Sequence, residues 1–438
     1  MASIEAPLAA AAQTVAVGDR IDAYEAILKG VLEAPPPDWR AALEAYVRGA
    51  VLERVNIAGA GLIVGRRCLQ LLCDSVRDAH SDASHVLADV DAYLWTLRMI
   101  LEATHDQAVA LEDELSEVRT LLADQLEQRA QWADAAQALQ GIVADTNRRS
   151  KSDEYWLRVN VRLLRLFLRA DDGASADLYL KKSSSLLHSV QREHAHEAAD
   201  LILEHRKCQA EVYDRQLRCY EAASRYYELS TSPALPASEQ ADVLARSVAA
   251  AILAQVSAQR QRLLAQLLRD PRTAGLALGP VLRRVADRRI VRGDMLELLR
   301  SNLAVHQLQP RGTSESALDE AIVEHNVYAA SRVYSTITIA SLAELVQRTP
   351  DECEAIVARM IMQKRLPTSC WIHQVAGAVY FAPEDELEAD VDDDAPSQAI
   401  QVPAADADEA QRQCRDRRIG AALAYLSDAH AMLRKTAC

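Results

Sequence analysis

The sequence predicts an all-α protein: an N-terminal helical-repeat solenoid of the TPR or HEAT kind, then a winged-helix domain with a small β-hairpin wing, then a C-terminal tail helix. Three observations carry that expectation. Glycine and proline number 14 each in 438 residues, about 6% against roughly 12% in average usage, which is sparse for a turn-rich β-sandwich or a nucleotide-binding α/β enzyme. Alanine, leucine and arginine dominate, and all three are good helix formers. From about residue 20 to 300 the apolar residues recur at helical spacing. The length exceeds what one small core organises, so two or three domains are expected. With 50% apolar and 26% charged residues, the chain can bury a core and stay soluble.

Residues 1–19 are alanine-rich, contain Glu5 and have no basic residue before Arg20. This lacks the basic start of a signal peptide and the arginine richness of a transit peptide, and the segment is read as a disordered N-terminus. Residues 20–199 are the solenoid. Its clearest helix runs over 153–169, where Leu157, Val161, Leu164 and Leu168 share one face. Asp153 suits its N-cap, and Asp171, Asp172 and Gly173 stop it. Val159 and Leu166 make the opposite side partly apolar, so this helix should lie between neighbours. A weak repeat places small residues at Ala135 and Ala136, at Ala176, and at Ala222 and Ala223. The spacing of roughly 40–47 residues suits stacked helical hairpins whose small residues allow close approach.

Residues 200–383 form the second domain, helical over 200–312 and a winged helix over 313–383. Helices at 316–334, 341–347 and 350–364 precede a β-rich stretch from Cys370 to Phe381 with Gly377 in its middle, a hairpin pattern. Thr349 and Pro350 followed by two acids mark a helix start. Glu384 to Asp394 then hold eight acids and no base, a solvated linker over 384–407. From 408 to 438 a last helix aligns Ile419, Leu423, Leu426, His430 and Leu433, a stripe that needs a partner helix.

The balance of 49 basic and 63 acidic side chains, net −14, argues against nucleic acid as the main partner. The winged helix itself holds five Lys/Arg against eight Asp/Glu. No run approaches 18 consecutive apolar residues, so no membrane span is expected. Eight cysteines without a Cys-x-x-Cys pair read as reduced, mostly buried thiols of a cytosolic or nuclear protein. Gly59 to Gly65 imitates a dinucleotide loop, but the residues before it are helical and no βαβ unit follows, so it is a helix start. His194 and His196 would point about 200° apart on a helix and cannot share one zinc. Arg283, Arg284, Arg288, Arg289 and Arg292, broken by Asp287, are read as a solvated helix face with carboxylate partners. No HExxH, phosphate-binding loop or Gly-x-Ser-x-Gly elbow is present. No catalytic, cofactor-binding or metal residue is expected, and no enzyme activity.

A helical solenoid leading into a winged helix and a tail helix resembles the PCI-domain family, the scaffolds of the proteasome lid, the COP-nine signalosome and translation initiation factor three. Leu217-Arg-Cys-Tyr-Glu-Ala-Ala-Ser-Arg-Tyr-Tyr-Glu-Leu-Ser230 is similar to the start of a signalosome PCI domain. So are Arg262 to Arg272 and Asp287 to Gly293, while Leu318 to Tyr334 resembles the helix leading into the winged helix. The resemblance implies a non-catalytic subunit of the complex that removes the ubiquitin-like modifier from cullin–RING ubiquitin ligases, in cytoplasm and nucleus. It implies ligase contact through the N-terminal solenoid and contact with other signalosome subunits through the winged helix and tail helix. It also implies an activation loop, which falls at 308–316 with Leu308, Pro310, Arg311 and Gly312 as candidate contact residues. The remaining candidates are Trp371, Val379 and Phe381 in the wing and Ile419, Leu423, Leu426 and Leu433 in the tail. A proteasome-lid subunit shares this architecture, and an RNA-associated PCI protein is a different class that the charge disfavours.

Overall fold

The computed structural model describes residues 2–14, 16–33, 38–52, 60–81, 85–145, 151–193, 198–309, 316–366 and 370–381. These form nineteen α-helices, short 3₁₀ and π turns, and one three-stranded sheet, in keeping with the all-α expectation. The linker 384–407 and the tail stripe with Ile419, Leu423, Leu426 and Leu433 lie outside the described residues, as do His194 and His196.

The first ten helices are α1 (Ala2–Ala12), α2 (Val17–Glu33), α3 (Trp39–Tyr46, continued by a π turn over Val47–Leu52), α4 (Ala60–Ser81), α5 (Val90–Ala103), α6 (Glu112–Gln128), α7 (Trp132–Asp145), α8 (Asp153–Arg169), α9 (Gly173–Glu193) and α10 (Ala199–Arg215). Neighbours in sequence pack on each other, α6 with α7 and α8 with α9, while α10 rests on both α8 and α9. The small residues of the repeat do what their size allows: Ala135, Ala136, Ala176, Ala222 and Ala223 are all 0% exposed. Helix α8 is buried on two sides. Leu157 and Val161 join Val190 and Ile202, while Leu163, Leu164 and Leu166 enter the large N-terminal core. Its N-cap is Ser152, whose side chain accepts from the Tyr155 amide, one residue before the expected Asp153.

The expected disorder of residues 1–19 is corrected. Helix α1 packs on α2 and α3 and buries Leu8 and Ala11 in the core. Alanine, the strongest helix former, and an apolar pair three residues apart suffice to dock it, despite Pro7 within the helix.

Helices α11 (Cys219–Ser230), α12 (Ala237–Leu253), α13 (Ala258–Arg269), α14 (Gly279–Ala286), α15 (Asp294–Asn302) and α16 (Val305–Leu308) surround a second core built on Val248, Ile252, Leu264, Val281 and Leu299. A third core belongs to the winged helix: α17 (Ala317–Ser331), β1 (Thr336–Thr338), α18 (Ile339–Val346), α19 (Pro350–Met362), β2 (Trp371–His373) and β3 (Ala378–Tyr380). Thr349 caps α19 reciprocally with Glu352, and Pro350 takes the first helical position, as the sequence pattern predicts. The wing differs from a two-stranded hairpin. The sheet order is β1-β3-β2, antiparallel, with Val379 between Ile337 and Ile372. Strand β1 is only three residues long and ends in Thr338, the N-cap of α18, so the alternation that identifies a strand has no length in which to appear.

Helix α17 joins the second and third cores. Leu318, Ala321 and Ile322 belong to the helical core, and Val323, Val327 and Ala330 to the winged helix. Eleven of its fifteen residues are buried, so its polar side chains need internal partners. Each has one. Glu324 lies 2.6 Å from Arg365 and 3.4 Å from Arg359. The His325 ring nitrogen Nε2 is 2.9 Å from the Arg289 carbonyl, which makes Nε2 the protonated donor. Asn326 accepts from the Val291 amide at 2.8 Å and donates to the Val291 carbonyl at 3.1 Å. Nearby, Arg260 is 1% exposed and donates to the carbonyls of Ala251 and Ile252 at 3.1 and 2.8 Å, satisfying the orphan carbonyls that end α12.

Replacing Asn326 with Leu strands the amide and the carbonyl of Val291, each at a cost of about 1–2 kcal/mol. A loss of roughly 2–4 kcal/mol in denaturant unfolding is therefore expected, and a loss below about 0.5 kcal/mol would contradict the clamp.

Burial, reinforced by the Arg260 cation, pushes the His325 imidazole down to about 3. Burial likewise pushes His205 down to about 4. In the unfolded chain both return to about 6.5, so below that pH the unfolded state takes up protons that the native state refuses. Stability is thus complete above pH 6.5 and declines as pH falls towards 4, by up to about 1.4 kcal/mol per pH unit for each imidazole. His325→Gln keeps a donor for the Arg289 carbonyl and should lose one proton's share of that slope between pH 7 and 5. Parallel slopes in the two proteins would contradict the assignment.

Candidate protein-interaction surfaces

No catalytic constellation emerges among the described residues. Six cysteines are described and all are buried. Burial pushes Cys73 and Cys208 up to about 12 and Cys353 up to about 11, so these three are thiols at neutral pH. No group of three or more His, Cys, Asp or Glu side chains could hold a metal ion among the described residues, and no described helix is long and apolar enough to cross a membrane. What the structure offers instead are surfaces.

The wing is the first. Trp371 is 49% exposed and stacks on Tyr380, with ring centroids 4.4 Å apart and planes 5° from parallel. Val375 at the hairpin turn is 95% exposed. Val333, Tyr334 and Met362 are also exposed, so half of the large exposed apolar side chains among the described residues fall in the winged helix. Val379 and Phe381, candidates from the sequence, are instead in its core at 0% and 5% exposure. The pleat explains the difference, because alternate residues of a strand face opposite sides. Strand β3 is paired on both edges, so it cannot take another strand, and proline at Tyr380 would break the sheet itself. Strand β2 is the outer strand of the sheet order and pairs with β3 on one side, so its other side is the sheet edge that strand addition would use.

The second surface flanks the candidate loop, of which Pro310, Arg311 and Gly312 lie outside the described residues. Leu308 is partly buried against the helical core. Just before it, Gln307 is 3% exposed and donates to Asp214 at 2.6 Å, while His306 lies 3.3 Å from the other oxygen of that carboxylate. Asp214 sits in the last turn of α10 and is itself buried. After the loop, Ser316 caps α17 by accepting from the Asp319 amide, and Asp319 pairs with Arg300 at 3.0 Å. Both ends are therefore tied to the helical body, and a cavity of about 480 Å³ lined by Asp214, Tyr226, Arg246 and His306 opens beside the first anchor. Asp214 lies 93 residues from Gln307 in sequence, so no local spacing could have revealed the pair.

A third surface is a groove of about 720 Å³ on the N-terminal helices. His80 stacks on Tyr93 at 4.1 Å and the Arg169 guanidinium lies 4.9 Å from the Trp132 ring centre. Arg165 pairs there with Glu127 and Glu204. The arginine run from 283 to 292 departs from expectation, since none of its five guanidinium groups makes an ion pair among the described residues.

Residues 69–237 match the family described as PSMD12/CSN4, N-terminal, and residues 299–383 match the PCI domain. A protein of Dictyostelium discoideum is 30% identical over 300 residues, covering 68% of this chain and 74% of its own length. One from Drosophila melanogaster is 28% identical over 363 residues, 83% of this chain and 84% of its own. One from Arabidopsis thaliana is 29% identical over 383 residues, 85% and 90% respectively. All three carry the name COP9 signalosome complex subunit 4.

The loop anchor has a direct test. Gln307→Ala removes a hydrogen bond to a buried carboxylate and should cost about 1–3 kcal/mol in thermal or denaturant unfolding. Val305→Ser, at a position 74% exposed, should stay within about 0.5 kcal/mol of the parent. Equal losses in the two variants would contradict the anchor.

Proposed function

Because this chain belongs to the COP9 signalosome subunit 4 family, we propose that it is a non-catalytic scaffold subunit of that complex and serves its removal of the ubiquitin-like modifier from cullin–RING ligases. The name shared by relatives that match over most of the chain carries this reading. The burial that keeps Cys73, Cys208 and Cys353 protonated and His205 and His325 neutral is in keeping with a subunit that contributes no chemistry of its own.

The winged helix meets a neighbouring subunit through the open edge of β2, with the Trp371–Tyr380 stack as the apolar anchor beside it. An edge strand presents unpaired amides and carbonyls that a second strand satisfies, and an exposed aromatic adds the desolvated contact that concentrates binding energy. The tail stripe of Ile419, Leu423, Leu426 and Leu433 joins other subunits' helices, since an isolated helix cannot bury such a face alone. The N-terminal groove contacts the ligase, and its paired and ring-stacked arginines suit a polar, partly acidic surface. The 308–316 loop acts in activation of the catalytic subunit from a base fixed by Asp214 and Ser316. The protein works in cytoplasm and nucleus.

Affinity purification of the full chain, with identification of the chains that accompany it, tests the reading: signalosome subunits are expected, and proteasome-lid subunits in their place would overturn it. Trp371→Glu sets a carboxylate at the β2 edge without touching the core. It should weaken recovery of the complex at least about tenfold while the helical circular-dichroism signal is kept. Unchanged recovery would rule out the β2 edge as the contact.

A further inference from the structure

Arg283, Arg284, Arg289 and Arg292 are exposed and Arg288 is half-buried. Elsewhere in the described chain arginines are commonly ion-paired, as Arg158 is with Glu154, Arg215 with Asp171 and Arg365 with Glu324. Here none is. Arg284 donates to the Ile290 carbonyl at 2.6 Å and Arg292 to the Leu345 carbonyl, bonds that steer the side chains and leave their charge uncompensated. Asp287 sits among them and makes no ion pair with any.

The backbone that displays these side chains is held from beneath. Asn326 binds both polar groups of Val291, and His325 binds the carbonyl of Arg289. Val285 and Val291 are buried at 0% and 1% exposure. Arg288 adopts φ +56°, a left-handed conformation that a non-glycine residue keeps only when its surroundings impose it. Five like charges on a segment held in one conformation repel one another, a cost that a bound anion relieves. Holding the segment beforehand removes the ordering cost of binding.

We propose that the arginine face over 283–292 docks a short acidic segment of a partner protein chain. The guanidinium fork matches carboxylates two bonds at a time, and the run contains arginine with no lysine. The extent of the face argues for a peptide over nucleic acid. Asp294 and Glu297 bound it immediately downstream, and the chain as a whole carries −14, so a long phosphate backbone would run from the face into like charge. This inference goes beyond the assembly reading and holds whichever complex the chain enters.

The test uses the purified full chain and a fluorescent glutamate-rich peptide, followed by anisotropy at low and at physiological salt. A single-stranded RNA and a DNA duplex of matched charge run in parallel. Arg283→Glu with Arg289→Glu, both exposed and free of side-chain bonds, should weaken peptide binding at least about tenfold with an unchanged melting temperature. Arg48→Glu with Arg158→Glu makes the same charge change elsewhere and should leave binding within about twofold. Undiminished binding in the first variant, equal losses in both, or tighter binding of RNA or DNA than of peptide would each overturn the proposal. Should the first variant melt early, Arg283→Gln alone gives the same reading with a smaller expected loss.

Discussion

A helix packed between two cores governs the C-terminal half of the described residues. Helix α17 has the helical core on one side and the winged-helix core on the other, and between its apolar contacts it carries Glu324, His325 and Asn326 in succession. Burying three polar side chains in a row is affordable only if each finds a partner, because an unpaired buried polar group costs about 1–3 kcal/mol and an unpaired charge more. The partners come from different elements: Arg359 and Arg365 from α19 and the residues after it, the backbone of Arg289 and Val291 from the turn after α14. Satisfying one helix therefore fixes the positions of several others. The winged helix is attached to the helical body through directional bonds as well as apolar area.

That attachment bears on function. In the proposed scaffold role the wing must hold a neighbour at a defined angle, which a freely swinging wing could not do. Two of these side chains, His325 and Asn326, also hold the backbone that displays the arginine run, so the wing and the basic face share one supporting helix. The residues that flank the segment between α16 and α17 are held in place, Gln307 by Asp214 before it and the start of α17 by the Ser316 cap after it. Interaction surfaces here are thus short exposed segments on a body whose buried polar bonds specify their placement.

Long, periodic elements were legible in the sequence. The stripe of α8, its termination before Gly173, and the Thr349–Pro350 start of α19 follow from local rules of spacing and capping. What escaped was short or non-local. Strand β1 has three residues and exists because β3 pairs with it. The N-terminal helix α1 was mistaken for disorder because an alanine-rich segment has few large side chains, and two buried ones are enough to dock it. Val379 and Phe381 looked like interface residues, but the register of a three-stranded sheet turns them inward. The burial of Glu324, His325 and Asn326 follows only from the packing on both sides of α17. Arg260 and the Asp214–Gln307 pair depend on partners that no spacing rule identifies.

The central claim is that α17 makes the helical body and the winged helix one cooperative unit. Native-state hydrogen exchange across a denaturant series tests it most directly, by comparing buried amides of α12, such as Leu244 and Val248, with those of α18 and α19, such as Leu342 and Val357. The account predicts that both groups exchange through one opening with a common free energy and a common denaturant dependence. Winged-helix amides that open at a distinctly lower free energy, while α12 remains protected, would contradict it.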